Sequence, residues 1–368
     1  MGRRRKDKRS AHPEPLRMAP DRASAGFRHA PIMVAEILSF LSPKTGGAYA
    51  DATLGGGGHA RSILERSAPD GRLVAVDRDP DAIRNAENAL GLADREVRSR
   101  VHLFRGLFTE LPAFLERAGL SGVDGLVADL GLSLYQLEGS GRGFSLRRDE
   151  PLDMRMDPDA GPPAEEFVNE LSMPELADLF RRLGEERFAG RIARAVVRAR
   201  ERSPIRTSAR LAGIVAEAVP AGRERIHPAT RVFMALRIAV NRELELLERF
   251  MAQAPDLLNP GGRLCVLTFH SLEDRIVKHR IREMARDCVC PSALPVCVCS
   301  ERAVLRDLTP RVLRPSAVEI DRNPMARSAK LRAAEKIDPA NPSAFRPKRW
   351  SRRDENGTVG CRGESHSP

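Results

Sequence analysis

The fold is decided by two nearby segments, Tyr49-Ala-Asp-Ala-Thr-Leu-Gly-Gly-Gly-Gly-His-Ala60 and Gly71-Arg-Leu-Val-Ala-Val-Asp77. The apolar alternation over residues 50–54 predicts a strand, and residues 59–67 predict a short helix that ends before Pro69. A second strand follows over residues 73–76. This order of elements, a strand, a glycine-rich turn, a helix and a second strand that ends in an acid, is typical of nucleotide sites. In such sites the backbone closely approaches an anionic group and the acid binds a ribose diol.

This pattern alone leaves the ligand open. Gly55-x-Gly57-x-x-Ala60 fits the dinucleotide fingerprint, with Asp77 about 20 residues further on, and an ordinary glycine-rich turn is the plainer alternative. Asp51, inside the first strand, favours another ligand, because a carboxylate there suits an ammonium and a sulfonium better than a pyrophosphate. Asp51-x-x-x-Gly55-x-Gly57 resembles the first motif of S-adenosylmethionine-dependent methyltransferases, and we therefore expect the methyl donor.

Composition narrows the class of protein further. The chain has 368 residues, of which 42% are hydrophobic, but no long apolar run, so we expect no membrane span. No apolar core follows the basic first residues, and six cysteines without an export signal argue against a disulfide framework. We expect a cytoplasmic protein. The net charge of +11 is concentrated in residues 1–10 and 344–353, two basic arms that favour a polyanionic partner.

Further strands are predicted over residues 101–104 and 123–130. Ligands of open parallel sheets bind at the carboxyl ends of the strands. Asp77, Phe108 and Asp129 fall at or just after predicted strand ends. Together with Asp51, inside the first strand, we expect them to approach one crevice. Phe108 could stack on a base there, although its apolar character alone favours a core position.

Residues 164–250 show helical spacing and predict an insertion between sheet strands. One of its helices carries arginines that suit either a solvated surface or contacts with RNA phosphates: Arg187, Arg191, Arg194, Arg198 and Arg200. A single helix is predicted over residues 232–251, and His227 and Arg231 flank its start, a plausible corner for an anion. His270 and Ser271 directly follow a predicted strand over 263–269, which places them on the ligand side of the sheet.

Two Cys-x-Cys units lie close together in the sequence. Four soft ligands within a dozen residues suit a structural zinc ion, and thiols in a surface loop are the open alternative. The candidate ligands are Cys288, Cys290, Cys297 and Cys299.

Together, several longer motifs resemble the bacterial methyltransferases that modify the exocyclic amine of one cytidine in small-subunit ribosomal RNA, the RsmH or MraW family. The motifs are His-Ala-Pro-Ile-Met-Val-Ala-Glu (29–36), Asp-Ala-Thr-Leu-Gly-Gly-Gly-Gly-His (51–59), Ala-Val-Asp-Arg-Asp-Pro (75–80), Arg-Gly-Phe-Ser (142–145), Pro-Leu-Asp-Met-Arg-Met-Asp (151–157), Gly-Glu-Glu-Arg-Phe-Ala (184–189), His-Pro-Ala-Thr-Arg-Val-Phe-Met-Ala-Leu-Arg-Ile (227–238) and Phe-His-Ser-Leu-Glu-Asp-Arg-Ile-Val-Lys (269–278).

The resemblance implies an α/β fold, namely a class I S-adenosylmethionine-dependent methyltransferase sheet (Rossmann-like) with a helical insertion. It implies donor contacts at Gly57, Gly58, His59, Asp77, Phe108, Asp129 and Gln136. The family usually has a second Ser and a Pro before the Gln, where this chain has Leu134-Tyr135, so we expect altered loop packing around a retained contact. We expect a basic arm over 1–26, methyltransferase segments over 27–145 and 251–335, the RNA-recognising insertion over 146–250, and a basic tail over 336–368. From about Asn323 onward, we expect the chain to be basic and loop-like.

The resemblance also implies the reaction, N4-methylation of a specific cytidine in 16S ribosomal RNA at the decoding centre of the small subunit. Asp129 is the candidate group that orients the target amine, with the region of Ser133 as the open alternative. The candidate substrate contacts are His227, Arg231, His270 and Ser271. The small ribosomal subunit is the expected partner, and a homodimer stays an open alternative to a monomer. Two other functions stay open: an NAD-dependent oxidoreductase, which Asp51 disfavours, and an RNA-binding factor that has lost turnover.

Overall fold

The computed structural model describes residues 31–220, 227–288, 290, 299 and 302–338. The strands in this part of the chain are β1 Ala48–Asp51, β2 Arg72–Asp77, β3 Val101–Arg105, β4 Val123–Asp129, β5 Leu258–Thr268, β6 Leu305–Asp307 and β7 Lys330–Lys336. The predicted arm over 1–26 lies outside the described residues, as does most of the predicted tail.

The strands form one sheet in the order β3-β2-β1-β4-β5-β7-β6. The first five strands in this order run parallel, while β7 is antiparallel to both β5 and β6. The chain reverses its direction of progress across the sheet between β1 and β4, the place where open α/β sheets bind ligands at the strand carboxyl ends. The predicted α/β class is confirmed.

Helices cover both faces of the sheet. They are α1 Val34–Leu41, α2 Gly58–Arg66, α3 Pro80–Ala89, α4 Arg95–Ser99, α5 Leu111–Arg117, α6 Leu134–Glu138, α7 Ala164–Glu170, α8 Met173–Gly184, α9 Ala189–Arg200, α10 Ser208–Ala218, α11 Thr230–Asn241, α12 Glu243–Leu257, α13 Ser271–Met284 and α14 Ala317–Arg322. Side chains alternate across β2, so Leu73 packs with α1 and α2 on one face, while Val74 packs with α5, α12 and α13 on the other.

Helices α7 to α11 form a second unit with its own apolar core, which runs from Phe144 to Val240. We predicted one helix over 232–251, but Arg242 has a φ of 50° and separates α11 from α12. Phe250 and Met251 of α12 pack into the sheet core. By packing, α12 therefore belongs with the sheet, and the insertion ends near Asn241, earlier than the predicted boundary at residue 250.

The prediction that the chain is loop-like from Asn323 is wrong. Strand β7 lies inside the sheet, between β5 and the edge strand β6. Arg332 hides this strand in the sequence: its buried guanidinium donates from Nε to Asp274 Oδ1 at 2.6 Å. A charge inside a strand usually indicates an exposed position, and here a partner on α13 neutralises it. Within the described residues, no helix combines the length and the apolar character needed to cross a membrane.

Candidate active site

Three carboxylates meet at the carboxyl ends of neighbouring strands. Asp51 ends β1, Asp77 ends β2 and Asp129 ends β4. The register pairs Asp51 with Ala75 and with Val127, so the other two acids lie two residues further along the flanking strands. The structure therefore brings together the three acids that the sequence predicted to share a crevice.

Asp51 is the most deeply enclosed of these acids, with 1% of its surface exposed. Burial raises its pKa to about 6, although His59 and the N–H of Thr53 favour the charged form, and the charges of Asp129 and Asp77 raise the pKa further. Above that pH the crevice holds a carboxylate in a poor solvent next to two others. Such an arrangement favours a cationic ligand.

Asp77, at the end of β2, holds the glycine-rich turn in place through its side chain. Its Oδ2 accepts a hydrogen bond from the N–H of Gly55 at 2.8 Å, and its Oδ1 accepts one from the N–H of Asp79 at 2.9 Å. Loss of solvent nevertheless raises the pKa of Asp77 to about 6. Each oxygen keeps a further lone pair, so the carboxylate can still accept from a ligand diol.

Asp129 and His59 hold polar atoms that the protein leaves unsatisfied. Thr53 Oγ1 accepts from the N–H of Asp129 at 2.6 Å, which fixes the strand end. His59 Nε2 lies 3.4 Å from Asp129 Oδ2, too poorly aligned to count as a hydrogen bond. Among the described residues, buried Asp129 Oδ1 and both ring nitrogens of His59 make no hydrogen bond. Buried polar atoms of this kind indicate a place for a ligand.

The contact between these two side chains also affects the charge of the imidazole. Burial disfavours the charged ring of His59, but the contact with Asp129 and the charges of Asp129 and Asp51 outweigh burial, so its pKa lies above the ordinary value. His59 therefore partly compensates the acids of the crevice.

Glycine is required at the turn for two physical reasons. Gly57 caps α2 with a φ of 76°, in the left-handed region that disfavours other residues. At Gly58 an added Cβ would lie 2.7 Å from Pro31 Cγ. The start of α2 therefore requires glycine at both positions, for its backbone conformation at Gly57 and for its packing against Pro31 at Gly58.

Gln136, a predicted donor contact, belongs to a buried network next to the acids. Its Nε2 donates to Asp79 Oδ2 at 2.8 Å, and its Oε1 accepts from the N–H of Ser133 at 3.1 Å. Arg142 Nη2 donates to the same Asp79 oxygen at 2.6 Å. Sequence reasoning missed Asp79 and Arg142, although both lie inside the quoted motifs 75–80 and 142–145. Tyr135, the family departure, is exposed at the surface of α6.

Phe108 lies just after β3, at the start of a short 3-10 helix, Phe108–Glu110. Its ring is half-buried and packs edge-on against Phe250 of α12, with 5.2 Å between ring centroids. One side of the ring thus belongs to the core, while its place after the strand keeps it at the carboxyl edge of the sheet.

The predicted substrate contacts lie where the insertion meets the sheet. Ser271 Oγ donates to Glu185 Oε2, and Arg275 Nη2 donates to Glu185 Oε1 at 3.2 Å. Glu185 ends α8 with a φ of 49°. Because Glu185 accepts hydrogen bonds from two residues of α13, Ser271 is a structural link between the insertion and the sheet. The hydroxyl oxygen of Ser271 can still accept a hydrogen bond from a substrate.

The other two candidates on the insertion lie near its surface. Arg231 Nη1 is 4.0 Å from Glu186 Oε2, and a third of its side chain is exposed. His227 is exposed and its Nδ1 accepts from the N–H of Ala229 at 3.1 Å, which places the ring at the start of α11. The contacts described for His227 and Arg231 are thus with Ala229 and Glu186 of the insertion, and neither contact involves the three acids.

His270 sits in a buried charge cluster behind Ser271. Its Nε2 lies 3.1 Å from Glu273 Oε1, and Arg237 pairs with Glu243 through two bonds of 2.9 and 2.8 Å. Burial opposes the charge of Glu273, but His270 and Arg237 hold the pKa of this carboxyl below its ordinary value. His270 thus lies at the junction of α11, α12 and α13, where its Nδ1 accepts from the N–H of Glu273 at 3.4 Å, while its buried Nε2 makes no hydrogen bond within the described residues.

Three of the four predicted cysteine ligands come together near the end of α13. Cys288, Cys290 and Cys299 place their sulfur atoms within 4.8 Å of one another. Cys297 lies outside the described residues.

The crevice fits a methyl donor that carries an ammonium and a sulfonium. Its three acids complement the positive charges of such a donor, and its glycines carry no side chains. The unsatisfied atoms of Asp129 and His59 can form hydrogen bonds with a ligand. The fold and this site define a class I S-adenosylmethionine-dependent methyltransferase.

Comparison with known proteins leads to the particular family. The chain belongs to the MraW methylase family, which matches residues 26–337. It is similar to the ribosomal RNA small subunit methyltransferase H of Thermomicrobium roseum, with 53% identity over 84% of this chain and 94% of that protein. The enzyme of the same name from Desulfosudis oleivorans is 51% identical over 84% of this chain and 99% of its own length. The predicted family is confirmed.

Proposed function

We propose that this protein transfers a methyl group from S-adenosylmethionine to the exocyclic N4 amine of one cytidine in 16S ribosomal RNA, at the decoding centre of the small subunit. The observation that carries the proposal is the crevice of Asp51, Asp77 and Asp129, in which burial raises the pKa of the first two acids to about 6. The relatives' names, which specify small-subunit ribosomal RNA, support the substrate. The N4 position and the decoding centre follow from the motif resemblance.

In this proposal each part of the donor has a chemical counterpart. Asp77 accepts from the ribose diol, since both of its oxygens keep an acceptor site beyond their backbone bonds. The backbone at Gly57 and Gly58 lies against the donor, and Asp51 provides the charge opposite its cationic groups. Phe108 contacts the adenine with the ring side that does not pack on Phe250.

Gln136 has a positioning role in the proposed donor site. Its side chain already bonds Asp79 and Ser133, so it shapes the wall next to Asp77. Asp79 joins this wall to Arg142, whose Nη1 also donates to the carbonyl of Met156 at 2.7 Å. The network thereby connects the donor crevice to the loop that leads into the insertion.

The bound donor supplies an electrophilic methyl carbon on a sulfonium sulfur. Asp129 Oδ1 is the group that we place next to the target amine, because it is buried and makes no hydrogen bond within the described chain. By accepting one N–H, Asp129 orients the amine lone pair toward the methyl group and reduces its delocalisation into the cytosine ring. The N–C bond forms as the C–S bond breaks, the electron pair stays on sulfur, and Asp129 accepts the proton that nitrogen loses.

The insertion provides the surface for RNA in this proposal. On α9, three exposed arginines share one face at helical spacing: Arg191, Arg194 and Arg198. Their charges suit phosphates, while the opposite face of α9, with Ile192 and Val196, is buried in the insertion core. The target cytidine has to leave its stack to reach Asp129, and we expect the insertion to hold the RNA around it.

The test is methyl transfer from labelled S-adenosylmethionine to small ribosomal subunits isolated from cells that lack this gene, compared with naked 16S RNA. We expect label in N4-methylcytidine, and loss of at least about 100-fold in rate for Asp129→Ala with donor binding measured in parallel. Absence of label on both substrates, despite donor binding, would overturn the assigned substrate. Because this substrate is a cytoplasmic particle, we propose the cytoplasm as the location, and sedimentation velocity on the same preparation decides between monomer and homodimer.

A further inference from the structure

The cysteine cluster near the end of α13 lies away from the proposed donor crevice. Helix α13 begins with Ser271 at the carboxyl end of β5 and has 14 residues, which corresponds to about 21 Å of helix. Cys288 and Cys290 follow the far end of this helix. The cluster therefore lies outside the proposed donor crevice, and its geometry calls for another explanation.

The sulfur atoms have the spacing of a metal site. Cys288 Sγ and Cys299 Sγ are 3.6 Å apart, and all three sulfur atoms lie within 4.8 Å of one another. A disulfide requires about 2.05 Å. Thiolates around zinc at about 2.3 Å form a tetrahedron with edges of about 3.8 Å, close to the observed separation.

The backbone around the cluster supports charged sulfur. The N–H of Cys290 donates to Cys288 Sγ, with 3.4 Å between nitrogen and sulfur. Such outer contacts orient a thiolate ligand and stabilise its charge. The chain is also joined on both sides of the cluster, because Val304 N–H donates to the Met284 carbonyl at 2.8 Å and Ala303 N–H donates to Asp287 Oδ1 at 3.2 Å.

We propose that Cys288, Cys290 and Cys299 bind one structural zinc ion, which joins the chain after α13 to the chain before β6. Zinc suits the site because soft thiolate ligands select it over harder divalent cations. The proposal rests on the three described thiols alone. It is independent of the reaction, since the donor crevice is built from other residues.

Metal content of the full-length protein tests the site directly. The protein is produced with added zinc under reducing conditions, freed of loosely bound metal, and measured by plasma mass spectrometry. We expect about one zinc per chain for the wild type and for Cys265→Ala, which removes a buried thiol of β5 that lies outside the cluster. Cys288→Ser and Cys299→Ser should each lose at least about five-fold in zinc content while their circular dichroism stays that of the wild type.

Cobalt substitution provides a second readout. In the wild type and in Cys265→Ala, bound cobalt should produce the near-ultraviolet thiolate-to-metal charge-transfer band, and Cys288→Ser should lack it. Three results would overturn the proposal: only trace zinc in the wild type, equal zinc in the wild type and Cys288→Ser, or iron in place of zinc. A Cys288–Cys299 disulfide in freshly isolated protein would also overturn it.

Discussion

The proposed donor crevice and the junction between sheet and insertion both concentrate charge, but the charges are paired at the junction and largely unpaired in the crevice. At the junction, Arg237 and Glu243 satisfy each other through two hydrogen bonds. In the crevice, Asp51 and Asp77 carry pKa values raised to about 6, and Asp129 keeps a buried oxygen without a protein partner among the described residues. Paired charge indicates a structural connection, while unpaired buried charge indicates a ligand.

The largest effect is expected where a buried pair is broken. Arg237→Met leaves Glu243 buried without its partner and should lower the free energy of unfolding by about 3–5 kcal/mol. Urea unfolding measures this change. Arg242→Met serves as the matched control, because the pair of Arg242 with Glu245 is exposed to solvent and its loss should leave the free energy of unfolding unchanged within error. Equal effects of the two substitutions would remove the distinction between junction and surface.

In the crevice, neutralising one acid should raise the free energy of unfolding, whereas Arg237→Met should lower it. Asp51→Asn keeps an oxygen for the Thr53 N–H and removes a poorly solvated charge. At pH 7 we expect the donor-free protein to gain about 1–3 kcal/mol in free energy of unfolding and to bind S-adenosylmethionine about 10–100-fold more weakly. Urea unfolding and calorimetric titration measure the two quantities. A loss of stability would show that Asp51 is a structural acid.

The pH dependence of donor-free stability follows from the same shift. The folded pKa of Asp51 lies near 6, above its ordinary value of 3.8, so the folded state binds the proton more tightly than the unfolded state. Stability contributed by this group therefore falls as pH rises between about 4 and 6. Asp77 acts in the same direction.

Donor affinity should show the reverse trend with pH. A cationic ligand binds the ionised acids, so the affinity for S-adenosylmethionine should fall by up to about tenfold for each acid and pH unit below pH 6 and level off above it. Calorimetric titrations between about pH 5 and pH 8 measure this curve. An affinity that is constant over this range would contradict the proposed role of the two acids.

The smallest effect is expected at the exposed part of the junction. Glu185 is about half exposed where it meets Ser271 and Arg275, so Ser271→Ala should change the free energy of unfolding by no more than about 0.5 kcal/mol. Donor affinity should not change. If Ser271→Ala slows methyl transfer to RNA while stability and donor binding are retained, Ser271 contacts the substrate; unchanged transfer assigns it to the link alone.

The sequence predicted best what neighbouring residues determine. The strand, the glycine turn, the helix and the terminal acid of residues 48–77 depend on local conformation, and their order revealed the sheet and the crevice. Strand β7 was missed because its buried Arg332 depends on Asp274, more than 50 positions away. The break at Arg242 was missed because a left-handed residue other than glycine or asparagine has no sequence signature.

The network around the donor site shows the same limit. Asp79 accepts hydrogen bonds from Gln136 and Arg142, which lie 57 and 63 residues further along the chain. No local sequence pattern predicts contacts over such distances. Conversely, the sequence places His270 on the ligand side of the sheet, but in the fold its ring lies next to buried Glu273. Position along a strand predicts which edge a side chain occupies, and only the fold determines which partner it meets.

The most direct test of this account is calorimetric titration of S-adenosylmethionine into the wild type and Asp77→Asn. Asp178→Asn, an exposed acid of α8, is the charge-matched control. We predict one donor per chain, binding about 10–100-fold weaker in Asp77→Asn, and unchanged binding in the control. Equal affinity for all three proteins, or no binding by the wild type, would contradict the assignment of the carboxylate crevice as the donor site.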